Sequence, residues 1–255
     1  MSPHVSASSS RTGRARPDLA RSVRLLRAFG EEQSDPEHFY TVLGDDSVEQ
    51  LGRWTSLEGA RVLDVGGGKG YFAPSFARAG AHYVLLDPDA SELDAAYAPD
   101  ALAGRVGGDG QRLPFADDSV DVAYSSNALE HVPDPWRMAD EMVRVTRPGG
   151  IVYLSYTLWW GPWGGHETSP WHYLGGRYAA DRYARKHGRR PKNDFGSQMF
   201  ALTAAAGLRW ARRCDALDVV ATIPRYHPWW AQWTLHVPVL REVTSWNLLI
   251  VGRKR

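Results

Sequence analysis

Cysteine is almost absent from this chain of 255 residues, which carries only Cys214. A single thiol excludes an intramolecular disulfide framework and any zinc site built from several cysteines. Lysine is scarce as well, at Lys69, Lys186, Lys192 and Lys254, so arginine supplies nearly all the positive charge. Charge of one sign is also missing: 30 basic and 29 acidic side chains leave a formal net charge of +1, without the basic excess of a general nucleic-acid surface. No apolar run approaches the roughly 18 residues of a membrane-spanning helix. Residues 1–18, rich in Ser, Arg and Pro, lack the apolar core of a secretory signal. That segment is expected to be disordered and the protein cytoplasmic. With 43% hydrophobic and 23% charged residues, the remainder has the composition of an ordinary globular domain.

The most informative stretch present is Leu63 to Gly70, LDVGGGKG. An apolar run that ends in an acid and then in Gly66, Gly68 and Gly70 reads as a strand turning sharply into a helix. Glycine permits unusual backbone angles and lets a ligand lie directly on the chain. The free N–H groups of a new helix favour an anionic group at that point. The spacing is G-x-G-x-G, whereas the dinucleotide fingerprint G-x-G-x-x-G has its last glycine one residue later. The loop therefore suits a nucleoside cofactor but is a poor match for NAD.

The following segments supply the other contacts such a ligand needs. Tyr83 to Leu86 form a second apolar run that ends in Asp87, at the strand tip where nucleotide-binding units hold ribose hydroxyls. Gly108-Asp109-Gly110 comes next, then an apolar run from Val120 to Tyr124 that reaches Ser126 and Asn127, and then the turn Arg147-Pro148-Gly149-Gly150. In order, LDVGGGKG, LLDPD, GDGQRLPF, DVAYSSNALEHVPDP and RVTRPGG resemble the class I S-adenosylmethionine-dependent methyltransferases. The likeness is to the small-molecule type related to quinone and sugar methylases, over about residues 60–156.

The resemblance implies an α/β fold: a Rossmann-like, doubly wound, mostly parallel seven-stranded sheet with an antiparallel last strand. It implies S-adenosylmethionine as cofactor, with Gly66, Gly68 and Gly70 around its methionine part and Asp64 near its ammonium group. Asp87 would take the ribose hydroxyls and Asp109 the adenine amino group, with the Gly110 N–H on the ring. Ser126 or Asn127 would line the reacting centre. For each aspartate the alternative is a surface turn or helix cap, and Asn127 could simply cap a helix.

Strands are predicted near 61–65, 82–87, 103–107, 120–125 and 150–156, and again at 245–251, with a sixth at either 208–212 or 217–223. Helices are predicted at 19–29, from 35 through 43, at 46–54, 70–79, 91–95, 127–130, 135–146, 174–187 and 200–206. The expected organisation is a tail (1–18) and one domain (19–255). The domain divides into a helical cap (19–57), a cofactor core (58–156), an insert (157–195) and a C-terminal portion (196–255). The cap helices would close over the cofactor or pack on the sheet edge. His131 reads as structural beside the pocket.

Beyond residue 156 lie nine of the eleven tryptophans. The segment WWGPWGGHETSPWHYLGG has too many Gly and Pro for a regular element. Loops at the carboxyl end of a sheet commonly carry specificity, and flat indoles stack on sugars, rings or acyl chains. Trp159, Trp160, Trp163 and Trp171 are therefore candidate acceptor contacts, the alternative being a small core that pins the loop. His166 or His172 would be the base that takes the acceptor's proton, with Glu167 orienting it or binding acceptor hydroxyls; loop histidines that only bond backbone are the alternative. The H-E-x-x-x-x-H spacing lacks the i, i+4 geometry of a helical zinc site, so no metal is expected. The basic run Arg177–Lys192 reads as a phosphate site or a solvated face. Trp229, Trp230 and Trp233 could flank the acceptor pocket or touch a membrane or lipid substrate.

The favoured activity is O-methylation of a hydroxyl on a sugar, glycolipid or polyketide-like metabolite. C-methylation of a quinone-like ring is the alternative. A nucleic-acid methylase is opposed by the charge balance and by the lack of an N/D-P-P-Y/F motif after the fourth strand. A non-catalytic cofactor-binding protein would keep the same loop and Asp87.

Overall fold

The computed structural model describes residues 17–31 and 34–255. The tail expected to be disordered lies, through residue 16, outside the described residues. Pro17 is buried, and its carbonyl accepts the Trp229 N–H at 2.7 Å.

Seven strands form one sheet: β1 Arg61–Val65, β2 His82–Asp87, β3 Gly104–Gly107, β4 Val120–Ser126, β5 Thr146–Thr157, β6 Leu217–Pro224 and β7 Asn247–Lys254. Their order across the sheet is β3-β2-β1-β4-β5-β7-β6. The first five are parallel, and β7 runs antiparallel to both β5 and β6. The inner strands read as unbroken apolar runs because both of their faces are covered. Along β1, Val62 enters a core shared with α1 (Leu19–Glu31), α2 (Pro36–Leu51) and α3 (Ala73–Arg78). Its neighbour Leu63 enters the opposite core, shared with α5 (Pro135–Val145) and α7 (Ala204–Arg213). The result is three layers, with the parallel strands' carboxyl ends on one edge. Among the described residues the remaining α-helices are α4 (Ala90–Asp94), α6 (Gly176–His187) and α8 (Leu240–Thr244).

Several boundaries differ from expectation for identifiable reasons. The two helices read at 35–43 and 46–54 are one, α2, whose N-cap Asp35 accepts the His38 N–H at 3.0 Å. At the expected start of the second of these, Asp46 is buried in an ion pair with Arg21 within the continuous helix. The helix expected at 200–206 starts later and occupies the alternative strand at 208–212, so the sixth strand is Leu217–Pro224. Residues 70–72 remain in the glycine turn, and α3 begins at Ala73. In place of a helix at 127–130 there is a 3₁₀ turn, Leu129–His131. No described helix is long and apolar enough to cross a membrane.

Candidate cofactor and acceptor site

The glycine loop leaves β1 with Gly66, Gly68 and Gly70 all at positive φ, +78°, +54° and +68°. The Gly66 N–H donates to the Leu86 carbonyl at 2.8 Å, which fixes the loop across the tip of β2. A Cβ on Gly66 would lie 2.6 Å from the Ala128 Cβ, so the loop also closes on the turn after β4. Gly67, not singled out by spacing, is required too: its Cβ would meet Asp64 Oδ2 at 2.2 Å. The Gly68 N–H donates to Asp87 Oδ2 and the Asp89 N–H to Asp87 Oδ1, both at 2.9 Å. Each Asp87 oxygen retains acceptor capacity for a further donor. Tyr71, directly after the loop, stacks on Tyr40 of α2 with centroids 4.9 Å apart and leans on Tyr97 at 5.1 Å. α2 thus reaches the loop, while α1 and α2 share a core with the sheet.

Asp64 is buried beneath Gly67, and Tyr83 Oη donates to its carboxylate. Burial raises its pKa to about 7, with the Tyr83 bond opposing and the Asp87 charge adding to the rise. Asp109 is exposed and accepts the Gln111 N–H at 2.8 Å, which makes it the anchor of its own turn. Gly110 is buried where a Cβ would meet Met138 Sδ at 3.0 Å.

At the end of β4, Ser126 and Asn127 join a polar network that sequence did not reveal. Asn127 sits at φ +57°, and its Oδ1 accepts from Asn247 Nδ2 at 2.6 Å. Ser126 Oγ accepts from Arg225 Nη1 at 2.7 Å. Arg225 is fully buried, and it also donates to Ser155 Oγ at 2.5 Å and to Ser47 Oγ at 2.7 Å. An arginine at the end of an apolar strand (A-T-I-P-R) was the only available signal, because its partners are 70–178 residues away.

The insert divides the predicted contacts into two groups. Trp159 is only 5% exposed and packs on His172 and Phe195, so it serves as core and not as a stacking face. Trp163 is half-buried between Trp246 and Phe29 of α1. Trp160 and Trp171 are exposed; Trp160 lies parallel to Tyr173, and Trp171 lies under the Arg182 guanidinium at 3.9 Å. Glu167 accepts both the main-chain N–H of Asn193, at 2.9 Å, and its amide, at 2.8 Å; it is hydrogen-bonded there and not to a histidine. In the basic run, Arg190 is paired with Asp181 and Asp194, as on a solvated face.

The two candidate bases also separate. His172 is fully buried inside the insert, with Nδ1 3.3 Å from Ser169 Oγ. His166, at φ +45°, faces His131 with ring centroids 5.2 Å apart. Burial lowers the pKa of both imidazoles; near His166 the Glu130 charge opposes this and His131 adds to it. One donor atom from each of Glu130, His131 and His166 lies within 4.8 Å of the others. Sequence reading took His131 and His166 separately and did not single out Glu130, since only the folded insert brings residue 166 over the turn at 129–131.

A seven-stranded 3-2-1-4-5-7-6 sheet with a G-x-G-x-G loop on β1 and an acid at the tip of β2 defines a class I S-adenosylmethionine-dependent methyltransferase. The match to the family described as "Methyltransferase domain" covers residues 63–154. An uncharacterized methyltransferase of Mycobacterium sp. (strain JLS) is 56% identical over 242 residues, covering 92% of this chain and 95% of that protein. One from Mycobacterium leprae (strain TN) is 51% identical over 250 residues, covering 94% and 91%. The crystal structure of an S-adenosylmethionine-dependent methyltransferase from Mesorhizobium loti shares the fold, with a TM-score of 0.56 at 24% identity, covering 80% and 95%. The chain belongs to this methyltransferase family, and its cofactor is S-adenosylmethionine.

Proposed function

We propose that the chain is a cytoplasmic enzyme that methylates a hydroxyl oxygen of a small-molecule acceptor: a sugar, a glycolipid or a polyketide-like metabolite. The acceptor oxygen attacks the methyl carbon opposite the sulfonium; the C–S bond breaks toward sulfur, leaving S-adenosylhomocysteine, and the hydroxyl proton passes to a base. The observation that carries this reading is His166, an imidazole held neutral by burial, with Nε2 buried and unpartnered beside Glu130. A neutral lone pair with no competing donor is what a general base needs.

The cofactor would lie on Gly66, Gly68 and Gly70, with its ribose on Asp87 and its adenine beside Asp109 and Gly110. Ser126 and Asn127 would border the methionine end. Exposed Trp160 and Trp171 offer flat faces for the acceptor. His172, packed in the insert, supports the loop in this reading. The test is a screen of hydroxylated acceptors with methyl-labelled cofactor, RNA and quinone-like rings serving as controls. Label transferred only to RNA or to ring carbon would reject the reading.

A further inference from the structure

We propose that Glu130, His131 and His166 bind a divalent transition-metal cation of the zinc type. Two imidazoles and a carboxylate form a borderline-soft donor set suited to such ions, and three protein ligands leave a coordination position open. Two independent observations point to a missing ligand. Glu130 Oε2 is buried without a hydrogen-bond partner, and so is His166 Nε2. Glu130 is 2% exposed, and none of the ion pairs found among the described residues involves it. A buried carboxyl oxygen without a partner is costly unless a ligand such as a cation joins it.

The surrounding contacts orient the donors as in a built metal site. Glu130 Oε1 accepts the Thr157 N–H at 3.0 Å, which leaves Oε2 as the oxygen without a partner. His131 Nδ1 lies 2.7 Å from the Gln198 carbonyl, so that nitrogen carries the hydrogen and Nε2 carries the lone pair. Donors within 4.8 Å of one another are slightly more open than a closed site. Zinc–ligand distances of about 2.0–2.2 Å would draw the three side chains inward.

The consequence for turnover rests on the hydroxyl-methylating reading. When bound, the cation would supply Lewis-acid stabilisation to an oxygen at the open position, with Glu130, His131 and His166 as the residues that would hold it. In the cation-free protein the His166 imidazole stays free to take the hydroxyl proton.

The experiment is a cobalt(II) titration of the untagged, chelator-treated full chain, followed by visible absorption, with zinc as competitor. One cobalt per chain is expected, displaced by zinc. Glu130→Gln and His166→Ala should each weaken binding at least about 10-fold, as even loss of an outer-shell partner does, while S-adenosylmethionine affinity and thermal melting confirm a folded chain. Absence of a cobalt band in the wild type overturns the site, as does unchanged cobalt affinity in both folded variants. If Glu130→Gln does not fold, His166→Ala on the insert decides alone. Methyl transfer is assayed separately with and without cation. Loss of the O-methylation reading with cobalt binding intact would leave the site standing, whereas absence of cobalt binding with O-methylation intact would remove the site alone.

Discussion

The Gly68 N–H donates to Asp87 Oδ2 at 2.9 Å, joining the crown of the glycine loop to the carboxylate at the tip of β2. Residues 19 positions apart thereby form one surface. The groups expected to wrap the methionine and hold the ribose are positioned by each other before any ligand arrives. Preorganisation of this kind lowers the ordering cost of binding.

Asp87 should therefore be costly to lose. Asp87→Ala removes the charged acceptor for the ribose hydroxyls and releases the Gly68 N–H. Affinity for S-adenosylmethionine should fall by about 2–3 kcal/mol, roughly 30-fold or more. Calorimetry checks this, and normal binding by the variant would move the ribose site elsewhere.

The glycines of the loop should not be equivalent. Gly66→Ala combines a φ of +78° with a Cβ only 2.6 Å from that of Ala128. At Gly68, φ is +54° but nothing lies within 4 Å of an added Cβ. Left-handed strain alone costs about 1–2 kcal/mol, and overpacking adds about 1–3 kcal/mol. Urea unfolding should show a larger loss for Gly66→Ala than for Gly68→Ala, and equal losses would contradict the packing of the loop on the turn after β4.

Asp64 gives the protein a defined pH response. Its folded pKa, raised by burial from 3.8 to about 7, lies above the unfolded one. Folding therefore favours the protonated acid. The stability it contributes is full below pH 3.8 and is lost as pH rises to about 7, by up to about 1.4 kcal/mol per unit. Asp64→Asn should remove that slope. The check is urea unfolding of both chains across the window, and parallel pH profiles would show that Asp64 does not titrate there.

The inner strands were legible because strands buried on both faces carry uninterrupted apolar runs, as Val62, Leu63 and Val65 do. The loop and Asp87 were legible because their chemistry is local. The break expected between 43 and 46 is absent because Asp46 and Ser47 are buried polar residues inside one helix, held by Arg21 and Arg225. Trp159 and Glu167 were read as acceptor contacts, yet one ring is core and one carboxylate holds Asn193. The Arg225 network and the Glu130–His131–His166 corner could not be read from spacing. Each joins the tips of strands to segments brought over them only by folding.

The two candidate bases should respond differently to truncation. His172→Ala removes a fully buried ring packed 4.1 Å from that of Tyr173, and should lower stability by about 2–3 kcal/mol. His166→Ala should leave cofactor affinity nearly unchanged and lower turnover by about 10²–10⁴-fold. Thermal melts beside steady-state assays separate the two. Full turnover in His166→Ala would remove this residue from the chemistry.

The measurement that most directly tests transfer to a hydroxyl at the His166 corner is identification of the methylated atom by carbon NMR. It uses ¹³C-methyl S-adenosylmethionine and whichever acceptor the screen yields, with wild type and His166→Ala side by side. The account predicts a methyl ether carbon in the wild-type product and a strongly reduced yield of the same ether in the variant. A methyl bonded to carbon or nitrogen, or an ether formed equally well without the imidazole, would contradict it.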